Sequence, residues 1–223
     1  MTKELRAALE VILSTMSTKP KRVLEIGSRV ADNQDEICNL RPLLPDSKYI
    51  GVDMQDGVGV DVVADATLLP YKDHSFDLII CLETLEHAID PWKIANEIKR
   101  VVKNDGAVIL SSQQNFPIHM HPSDYFRYTP YGLATLVPPN WKKIVLGISP
   151  PYDREAELNP RHVIAISWNG NNWNKAVLKK KLKSNEVIIG GHKPYRHRLF
   201  DAIKIMKRAL SEINYRQVIQ FFE

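Results

Sequence analysis

Apolar residues recur along the chain with two alternating periods, one typical of buried strands and the other of amphipathic helices. Short apolar runs rich in β-branched residues predict strands, and apolar residues spaced three or four apart predict helices. The predicted strands are KRVLEIGS, KYIGVDM, VGVDVVAD, FDLIICLE and DGAVILSS; the predicted helices are MTKELRAALEVILSTM, Ala31–Leu40, PWKIANEIKRVVK with Asp90 as its N-cap, and Thr129–Leu136. This alternation predicts an α/β fold with a doubly wound, mostly parallel sheet and helices on both faces.

The remainder of the chain departs from this alternation. WKKIVLGIS and RHVIAISW follow one another without a helical pattern and predict an antiparallel pair at one sheet edge. Residues 171–223 hold twelve Lys or Arg against four Asp or Glu, a local charge of +8, whereas residues 1–170 carry −4. We therefore predict an α/β domain over 1–170 and a basic helical extension over 171–223. Helical spacing predicts the helix of this extension at Leu199, Ile203, Met206, Leu210 and Ile213.

Composition limits the class of protein. A chain of 223 residues, 44% hydrophobic and 25% charged, is long enough for one globular domain with a sizeable core. Cys38 and Cys81 lie far apart without a CxxC pairing, which predicts neither a disulfide framework nor a zinc motif and favours a reducing, cytoplasmic setting. The apolar runs of the first twenty residues are too short for a signal peptide or a membrane span.

The predicted strands end in acidic residues. Ligands of open α/β sheets bind at the carboxyl ends of the strands, and these ends carry Glu25, Asp53, Asp65 and Glu83. A dinucleotide site needs G-x-G-x-x-G so that the backbone can approach a pyrophosphate, but Gly27 is followed by SRVAD. S-adenosylmethionine has a cationic amine and a sulfonium and lacks phosphate, so it suits an acidic rim. Asp53 at the end of the second strand can accept hydrogen bonds from ribose hydroxyls.

Three sequence blocks carry a resemblance to a known family. VLEIGS, YIGVDMQDGVGVDVVADATLLPYKDHSFDLIICLETLEHAIDPW and NDGAVILSSQQNFPIHMHPSDYFRYTPYGL resemble class I S-adenosylmethionine-dependent methyltransferases of the type 11 group, over roughly residues 19–170. The resemblance implies a Rossmann-like seven-stranded sheet with an antiparallel last strand. Most relatives carry E-x-G-x-G-x-G at the first turn, and this chain has EIGSRVA instead.

The same resemblance implies a set of cofactor contacts. Glu25 and Gly27 would line the methionine end, and Ser28 belongs to the same turn. Asp53 would hold the ribose and Met54 would pack on the adenine. The remaining implied contacts are Asp65 and Ala66 at the adenine edge, and Cys81 and Glu83 on the methionine side.

The segment FPIHMHPSDYFRYTP follows the fifth strand, where this fold places the acceptor pocket. His119 and His121 are two apart and share one face in an extended chain, with Asp124 close enough to orient one of them. We predict a histidine general base and its orienting carboxylate. Tyr125 and Tyr128 offer flat faces for a ring or a sugar, and Arg127 a fixed cation, so we predict that all three bind substrate.

Metal ligation and a structural role for these histidines are alternatives to catalysis. His119, His121 and Asp124 supply three donors but no evident fourth ligand, and Glu83 and His87 favour a hydrogen-bonded pair over a metal site. We therefore predict no metal.

The predicted function is methyl transfer from S-adenosylmethionine to an oxygen or nitrogen atom of a small-molecule or glycan acceptor. A non-catalytic adaptor acting through the basic tail is the first rival, and a nicotinamide-dependent oxidoreductase the second. For the tail helix, packing on its own domain, a homodimer contact and a peripheral membrane contact are alternatives. A nucleic-acid partner is disfavoured because the body is acidic and lacks an RNA-binding motif.

Overall fold

The structure is a computed structural model, and it describes residues 1–31, 34–119, 123–149, 160–184, 188–189, 215–216 and 218–222. The helices are α1 (Lys3–Ser14), α2 (Asp35–Cys38), α3 (Pro91–Val101), α4 (Pro130–Ala134) and α5 (Lys175–Ser184), with short 3₁₀ helices at Arg41–Leu43 and Leu85–His87. The strands are β1 (Arg22–Ile26), β2 (Lys48–Asp53), β3 (Val62–Val63), β4 (Phe76–Leu82), β5 (Val102–Gln113), β6 (Lys142–Ser149), β7 (His162–Trp168), β8 (Ile188–Ile189), β9 (Tyr215–Arg216) and β10 (Val218–Phe222).

Eight of these strands form one mixed sheet in the order β10-β6-β7-β5-β4-β1-β2-β3. Strands β1 to β6 run in one direction, because β7 is antiparallel to both β5 and β6. The predicted Rossmann-like sheet of seven strands with an antiparallel last strand is confirmed. The segment Val218–Phe222 adds an eighth strand by pairing antiparallel with β6. Strands β8 and β9 form a separate antiparallel pair.

The order of strands reverses at β1, which lies between β2 and β4. The parallel register brings Ile26 beside Val52 on one side and beside Cys81 on the other. The carboxyl ends of β1, β2 and β4 therefore lie side by side. Open α/β sheets bind ligands at such a group of strand ends. This register positions the candidate site described below.

Alternate residues of the central strands enter two cores, one on each face of the sheet. Val23, Leu78 and Ile80 belong to the core that also holds α1 and α5. Leu24, Ile79 and Cys81 belong to the core that also holds α3 and α4. Because both faces are covered, the central strands carry apolar residues on both faces, which explains the apolar runs VIL and LIICL in the sequence.

Side-chain caps begin the helices where the sequence predicts them. Asp90 Oδ1 accepts a hydrogen bond from the Lys93 amide at 3.1 Å, with Pro91 in the first turn of α3. Thr129 Oγ1 accepts one from the Gly132 amide at 3.0 Å and caps α4. Both contacts satisfy amides that have no partner inside the helix.

Two predicted elements are shorter in the structure. The helix predicted over Ala31–Leu40 is a single turn in the described part of that segment, α2. The third strand was predicted over eight residues but contains only Val62–Val63. Its first half is irregular because Gly59 has a φ of +90° and because Asp61 Oδ2, rather than a carbonyl, accepts the Gly51 amide at 2.7 Å. A side chain therefore replaces the backbone ladder there.

Residues after 170 contribute to the core of the sheet. Trp173 donates a hydrogen bond from Nε1 to the Ile12 carbonyl at 2.8 Å, which joins this segment to α1. Leu178 and Leu182 of α5 are buried in the same core as α1. The predicted boundary at residue 170 remains a prediction, and the helix predicted around Leu199–Ile213 lies outside the described residues. None of the helices within the described ranges has the length and apolar character needed to cross a membrane.

Leu178 and Val177 provide a matched test of this packing. Leu178→Ala should lower the free energy of unfolding by about 2–5 kcal/mol, because Leu178 is fully buried and its loss leaves a cavity. Val177→Ala should change it by less than about 0.5 kcal/mol, because Val177 is 48% exposed on the same helix. Chemical denaturation followed by circular dichroism measures both. Equal effects of the two substitutions would show that α5 does not pack on the sheet.

Candidate functional site

The turn after β1 depends on a close contact between Gly27 and Thr84. Gly27 has a φ of +74°, which side chains with a Cβ rarely adopt. A Cβ built on Gly27 would also lie 2.0 Å from Thr84 Oγ1, so the loop after β4 occupies the space above the glycine. The amides of Gly27 and Ser28 both donate to the Val52 carbonyl, at 2.9 and 3.2 Å. The glycine is therefore required by packing and by its backbone conformation.

Asp53 lies at the carboxyl end of β2, as predicted, and its carboxylate organises the loops around it. Oδ2 accepts the Arg29 amide at 3.2 Å and Oδ1 accepts the Gln55 amide at 3.0 Å. A carboxylate accepts about four hydrogen bonds, so Asp53 has capacity for hydroxyl donors from a ligand. Ser28 is buried, and its Oγ has no hydrogen-bond partner in the described part of the chain.

The residues predicted to contact the adenine lie in the loops that follow β2 and β3. Met54 is 72% exposed, which leaves its side chain available to cover a ring. Asp65 is exposed, and its Oδ1 accepts the Thr67 amide at 2.8 Å. Ala66 is buried against the core that holds α3. The exposed pair Met54 and Asp65 fits a ring with amino donors at its edge.

Glu25 lies near the carboxyl end of β1 and is hydrogen-bonded to Tyr49. Its Oε2 accepts a hydrogen bond from the Tyr49 hydroxyl at 2.8 Å. Burial raises the pKa of Glu25 to about 7, although the Tyr49 hydrogen bond opposes the rise. Cys81 is fully buried, and burial raises the pKa of its thiol. A neutral thiol in the core is consistent with packing and inconsistent with nucleophilic chemistry.

Glu83 belongs to a buried hydrogen-bond chain. His162 Nδ1 lies 3.0 Å from Glu83 Oε2, and the Ser111 hydroxyl donates to Oε1 at 2.9 Å. His162 Nε2 in turn lies 3.1 Å from Thr2 Oγ1, at the N-cap of α1. Burial alone would raise the pKa of Glu83, but the His162 charge and the hydrogen bonds outweigh it and lower that pKa. These contacts give Glu83 a bracing role beside the predicted cofactor contact.

The backbone at Glu83 is also unusual. Its φ of +48° lies in the left-handed region, which non-glycine residues seldom adopt. Such conformations cost about 1–3 kcal/mol and persist where the surrounding contacts fix them. The His162 and Ser111 contacts supply that constraint, and the strained turn directs the following 3₁₀ helix over the end of the sheet.

His119 and Asp124 are brought together, as predicted. Asp124 Oδ2 lies 3.1 Å from His119 Nδ1 and accepts the His119 amide at 2.9 Å. The Asp124 side chain is only 1% exposed, whereas that of His119 is 23% exposed. The hydrogen bond from Arg127 lowers the pKa of Asp124 despite its burial, so this carboxylate stays ionised. His121 lies outside the described residues.

Arg127 holds the same loop closed. Its guanidinium binds both carboxylate oxygens of Asp124, with NH2 donating to Oδ2 at 2.5 Å. It also donates to the carbonyls of Phe116 at 3.1 Å, Pro117 at 3.1 Å and Phe126 at 2.8 Å. These contacts engage the guanidinium within the loop, which argues against the predicted contact with an acceptor.

The predicted aromatic wall is divided between surface and core. Tyr125 is 49% exposed and suits an acceptor face. Tyr128 is buried, and its hydroxyl donates to the Leu85 carbonyl at 3.3 Å, so its ring packs the loop rather than facing a substrate. Phe126 packs edge-to-face against Trp92 at 5.7 Å between ring centroids.

Glu86 and His87 join His119 in a cluster that the sequence interpretation did not assemble. One ligand atom from each of the three residues lies within 4.8 Å of the others. Glu86 is fully buried, and Ser112 Oγ donates to its Oε2 at 2.6 Å. Burial raises the pKa of Glu86 to about 8, and the Glu83 carboxylate adds to the rise. The motif LEH shows both residues, but the long connection between Leu85–His87 and His119 hides their proximity.

The residues at the rim fit S-adenosylmethionine. Asp53 and Asp65 are hydrogen-bond acceptors with remaining capacity at the ends of neighbouring strands, and the ribose and adenine offer hydroxyl and amino donors. The partnerless Ser28 Oγ lies in the turn where the methionine end is expected. No basic side chain is needed for this ligand, because it carries no phosphate.

Comparisons with known proteins agree with this fit. Residues 39–110 match a family model described as a methyltransferase domain. Norajmaline N-methyltransferase of Rauvolfia serpentina is 31% identical over 108 residues, which are 43% of this chain and 37% of that protein. The 27-O-demethylrifamycin SV methyltransferase of Amycolatopsis mediterranei is 35% identical over 88 residues, 40% of this chain and 29% of that protein. The chain spans less than half the length of the curated relatives it matches first.

Solved structures share the fold. An S-adenosylmethionine-dependent methyltransferase of Archaeoglobus fulgidus superposes with a TM-score of 0.55 at 14% identity, covering 74% of this chain and 93% of the other. A Thermotoga maritima protein, described as a possible histamine N-methyltransferase, gives 0.52 at 18% identity, covering 74% and 91%. The sheet order is therefore that of the class I methyltransferase fold.

The match over residues 39–110 agrees with the predicted resemblance to the type 11 S-adenosylmethionine-dependent methyltransferases. The cofactor of this family is S-adenosylmethionine.

Gly27 and Thr84 test the turn at the centre of the site. Gly27→Ala should lower the melting temperature, because alanine adds both a strained φ and a clash with Thr84. The double variant Gly27→Ala, Thr84→Gly should recover the part due to the clash. Thermal unfolding measures both variants and the Thr84→Gly control. An unchanged melting temperature for Gly27→Ala would contradict the tight contact.

Proposed function

We propose that the protein transfers a methyl group from S-adenosylmethionine to an oxygen or nitrogen atom of a small-molecule or glycan acceptor, with His119 as the general base. The observation that carries this proposal is the His119–Asp124 pair in the loop that follows β5, beside the acidic rim of a methyltransferase sheet. Relatives named as N- and O-methyltransferases of small molecules support the acceptor class.

S-adenosylmethionine, when bound, would supply a methyl group on a sulfonium: an acceptor lone pair would attack the methyl carbon in line with the C–S bond, and S-adenosylhomocysteine would leave. The protein mainly positions the acceptor and holds its proton. Asp124 is ionised, and its negative charge 3.1 Å from His119 Nδ1 favours a proton on that nitrogen, although the contact lacks the alignment of a hydrogen bond. The Nε2 lone pair then takes the proton from the acceptor, and Asp124 stabilises the resulting imidazolium.

The loop is built to keep this pair in place. Arg127 fixes both oxygens of Asp124, and the Tyr125 amide donates to the Glu86 carbonyl at 2.7 Å. His119 also packs edge-to-face against Phe116, with ring centroids 5.3 Å apart. The exposed ring of Tyr125 offers the acceptor an apolar face.

Cofactor binding is tested first, with Asp53 and Asp56 as matched carboxylates. Isothermal titration of the protein should give micromolar binding of S-adenosylmethionine and S-adenosylhomocysteine and none of NAD. Asp53→Asn should weaken that binding at least about tenfold, since roughly 1.4 kcal/mol is lost with the hydroxyl contacts. Asp56→Asn should not, because Asp56 is exposed and hydrogen-bonds only the neighbouring Gly57 amide in the described structure.

A failure to bind either ligand would reject the methyltransferase and favour the non-catalytic adaptor. Thermal unfolding of Asp53→Asn separates loss of the cofactor from loss of the loop contacts to Arg29 and Gln55. A variant that unfolds like the wild type but binds weakly would support the direct contact.

The role of His119 is tested by turnover. His119→Gln should lower kcat by about 10²–10⁴ while the Kd of S-adenosylmethionine changes little, because a general base acts on the acceptor and not on the cofactor. Release of S-adenosylhomocysteine with a panel of phenols, amines and sugars supplies the assay. His74→Gln is the control, since His74 lies at the opposite end of β4 and contacts the Val102 carbonyl. Unchanged turnover for His119→Gln would remove it from the mechanism.

A further inference from the structure

We infer that Glu86, His87 and His119 form a binding site for one divalent first-row transition ion, represented by Zn²⁺. Two imidazoles and one carboxylate are the protein ligands of many zinc sites that keep a position open for water or substrate. The ligand atoms lie within 4.8 Å of one another. Ligands on a common zinc lie about 3.3 Å apart, as bonds of about 2.0–2.1 Å require, so a shift of about 1.5 Å would close the site.

Both histidines are oriented from behind. His87 Nδ1 lies 2.6 Å from the Ser123 carbonyl, which can only accept, so Nδ1 carries the proton. The charge of the Asp124 carboxylate, 3.1 Å from His119 Nδ1, favours the same tautomer of His119 without an aligned hydrogen bond. Each imidazole therefore holds its lone pair on Nε2. Metal-binding histidines in proteins almost always show this arrangement, in which the other ring nitrogen donates to a carbonyl or a carboxylate.

The two rings are already adjacent. The His87 and His119 ring centroids are 4.8 Å apart at an interplanar angle of 81°. His87 ends the 3₁₀ helix Leu85–His87, and His119 belongs to the loop closed by Arg127 and Asp124. One ligand is thus on a rigid turn that follows β4, and the other is on a separately braced loop.

Glu86 provides an independent indication of a ligand. Its side chain is fully buried, and Oε1 has no hydrogen-bond partner within the described ranges. Buried carboxylate oxygens are normally paired, because leaving one unpaired is costly. Ser112 occupies only Oε2, and Glu83 beside it adds negative charge. A cation bound at Oε1 would satisfy the orphan oxygen and would be attracted by the neighbouring Glu83 carboxylate.

The nitrogen ligands decide the chemical class of the ion. Imidazole suits zinc, copper, iron and nickel, whereas magnesium and calcium prefer sites made of oxygen. Zinc is the probe because it lacks redox chemistry and accepts mixed nitrogen and oxygen ligands.

The site also bears on the proposed methyl transfer, and in that respect the inference rests on the proposed function. If the ion were bound, His119 Nε2 would be a ligand and would no longer serve as the base, and the ion would stabilise an acceptor hydroxyl that loses its proton to water. When it is absent, the histidine takes the proton itself. Binding of the ion requires neither cofactor nor acceptor, so it can be measured separately.

The test is isothermal titration of the chelator-treated full chain with ZnCl₂. One equivalent should bind with a Kd of about 1 µM or tighter, and MgCl₂ should not compete. His87→Gln, His119→Gln and Glu86→Gln should each weaken binding at least tenfold, and Asp124→Asn should do so by about 10–100-fold through the orientation of His119. His74→Gln should bind like the wild type.

Cobalt provides a second readout that does not depend on affinity. Co²⁺ in the site should show visible ligand-field absorption that changes in His87→Gln and His119→Gln. Circular dichroism identifies any variant that fails to fold; the two histidine variants suffice if Glu86→Gln is one of these.

Two results would overturn the inference. One is no zinc binding to the wild type, and the other is equal zinc binding by the wild type and the folded histidine variants. Either result leaves titration with S-adenosylmethionine unaffected, so failure of the metal site is distinguishable from failure of the methyltransferase.

Discussion

The parallel pairing of β1 with β4 at the centre of the sheet is the constraint on which the rest of the molecule depends. It aligns Ile26 with Cys81, so two loops emerge side by side at the switch point. Their proximity leaves no room for a side chain at Gly27, where Thr84 already lies. The sharp turn at Gly27 follows from this register.

The site contains four buried or partly buried carboxyl groups, and they differ in whether their hydrogen-bond partners are charged. Glu83 is paired with His162, and Asp124 is paired with Arg127 and lies against His119. Glu25 has only a neutral phenol, and Glu86 a neutral hydroxyl. The pKa values follow this division, being lowered at the first two residues and raised at the last two.

The sequence was informative where local pattern and packing agree. Apolar runs located the central strands because β1, β4 and β5 are buried on both faces, and Asp90 indicated the start of α3 as its N-cap. Asp53 and the His119–Asp124 contact were also accessible, because a strand end and a short extended segment restrict where side chains go. The sequence could not show that β3 is short, because a tertiary contact causes it: the Asp61 side chain, and not a backbone carbonyl, accepts the Gly51 amide. Nor could the spacing show that Arg127 is engaged within its loop, or that Glu83 meets a histidine 79 residues later.

The contact between Glu83 and His162 affects the order in which the chain can fold. Thr2, Glu83 and His162 form one hydrogen-bond chain. Thr2 caps α1, Glu83 follows β4 and His162 begins β7. During synthesis the first two residues leave the ribosome well before the third, and β7 must insert between β5 and β6 to deliver it. The hydrogen-bond chain at Glu83 is therefore completed late, after most of the sheet has been translated. Until then, the Glu83 carboxylate of a nascent chain lacks its histidine partner.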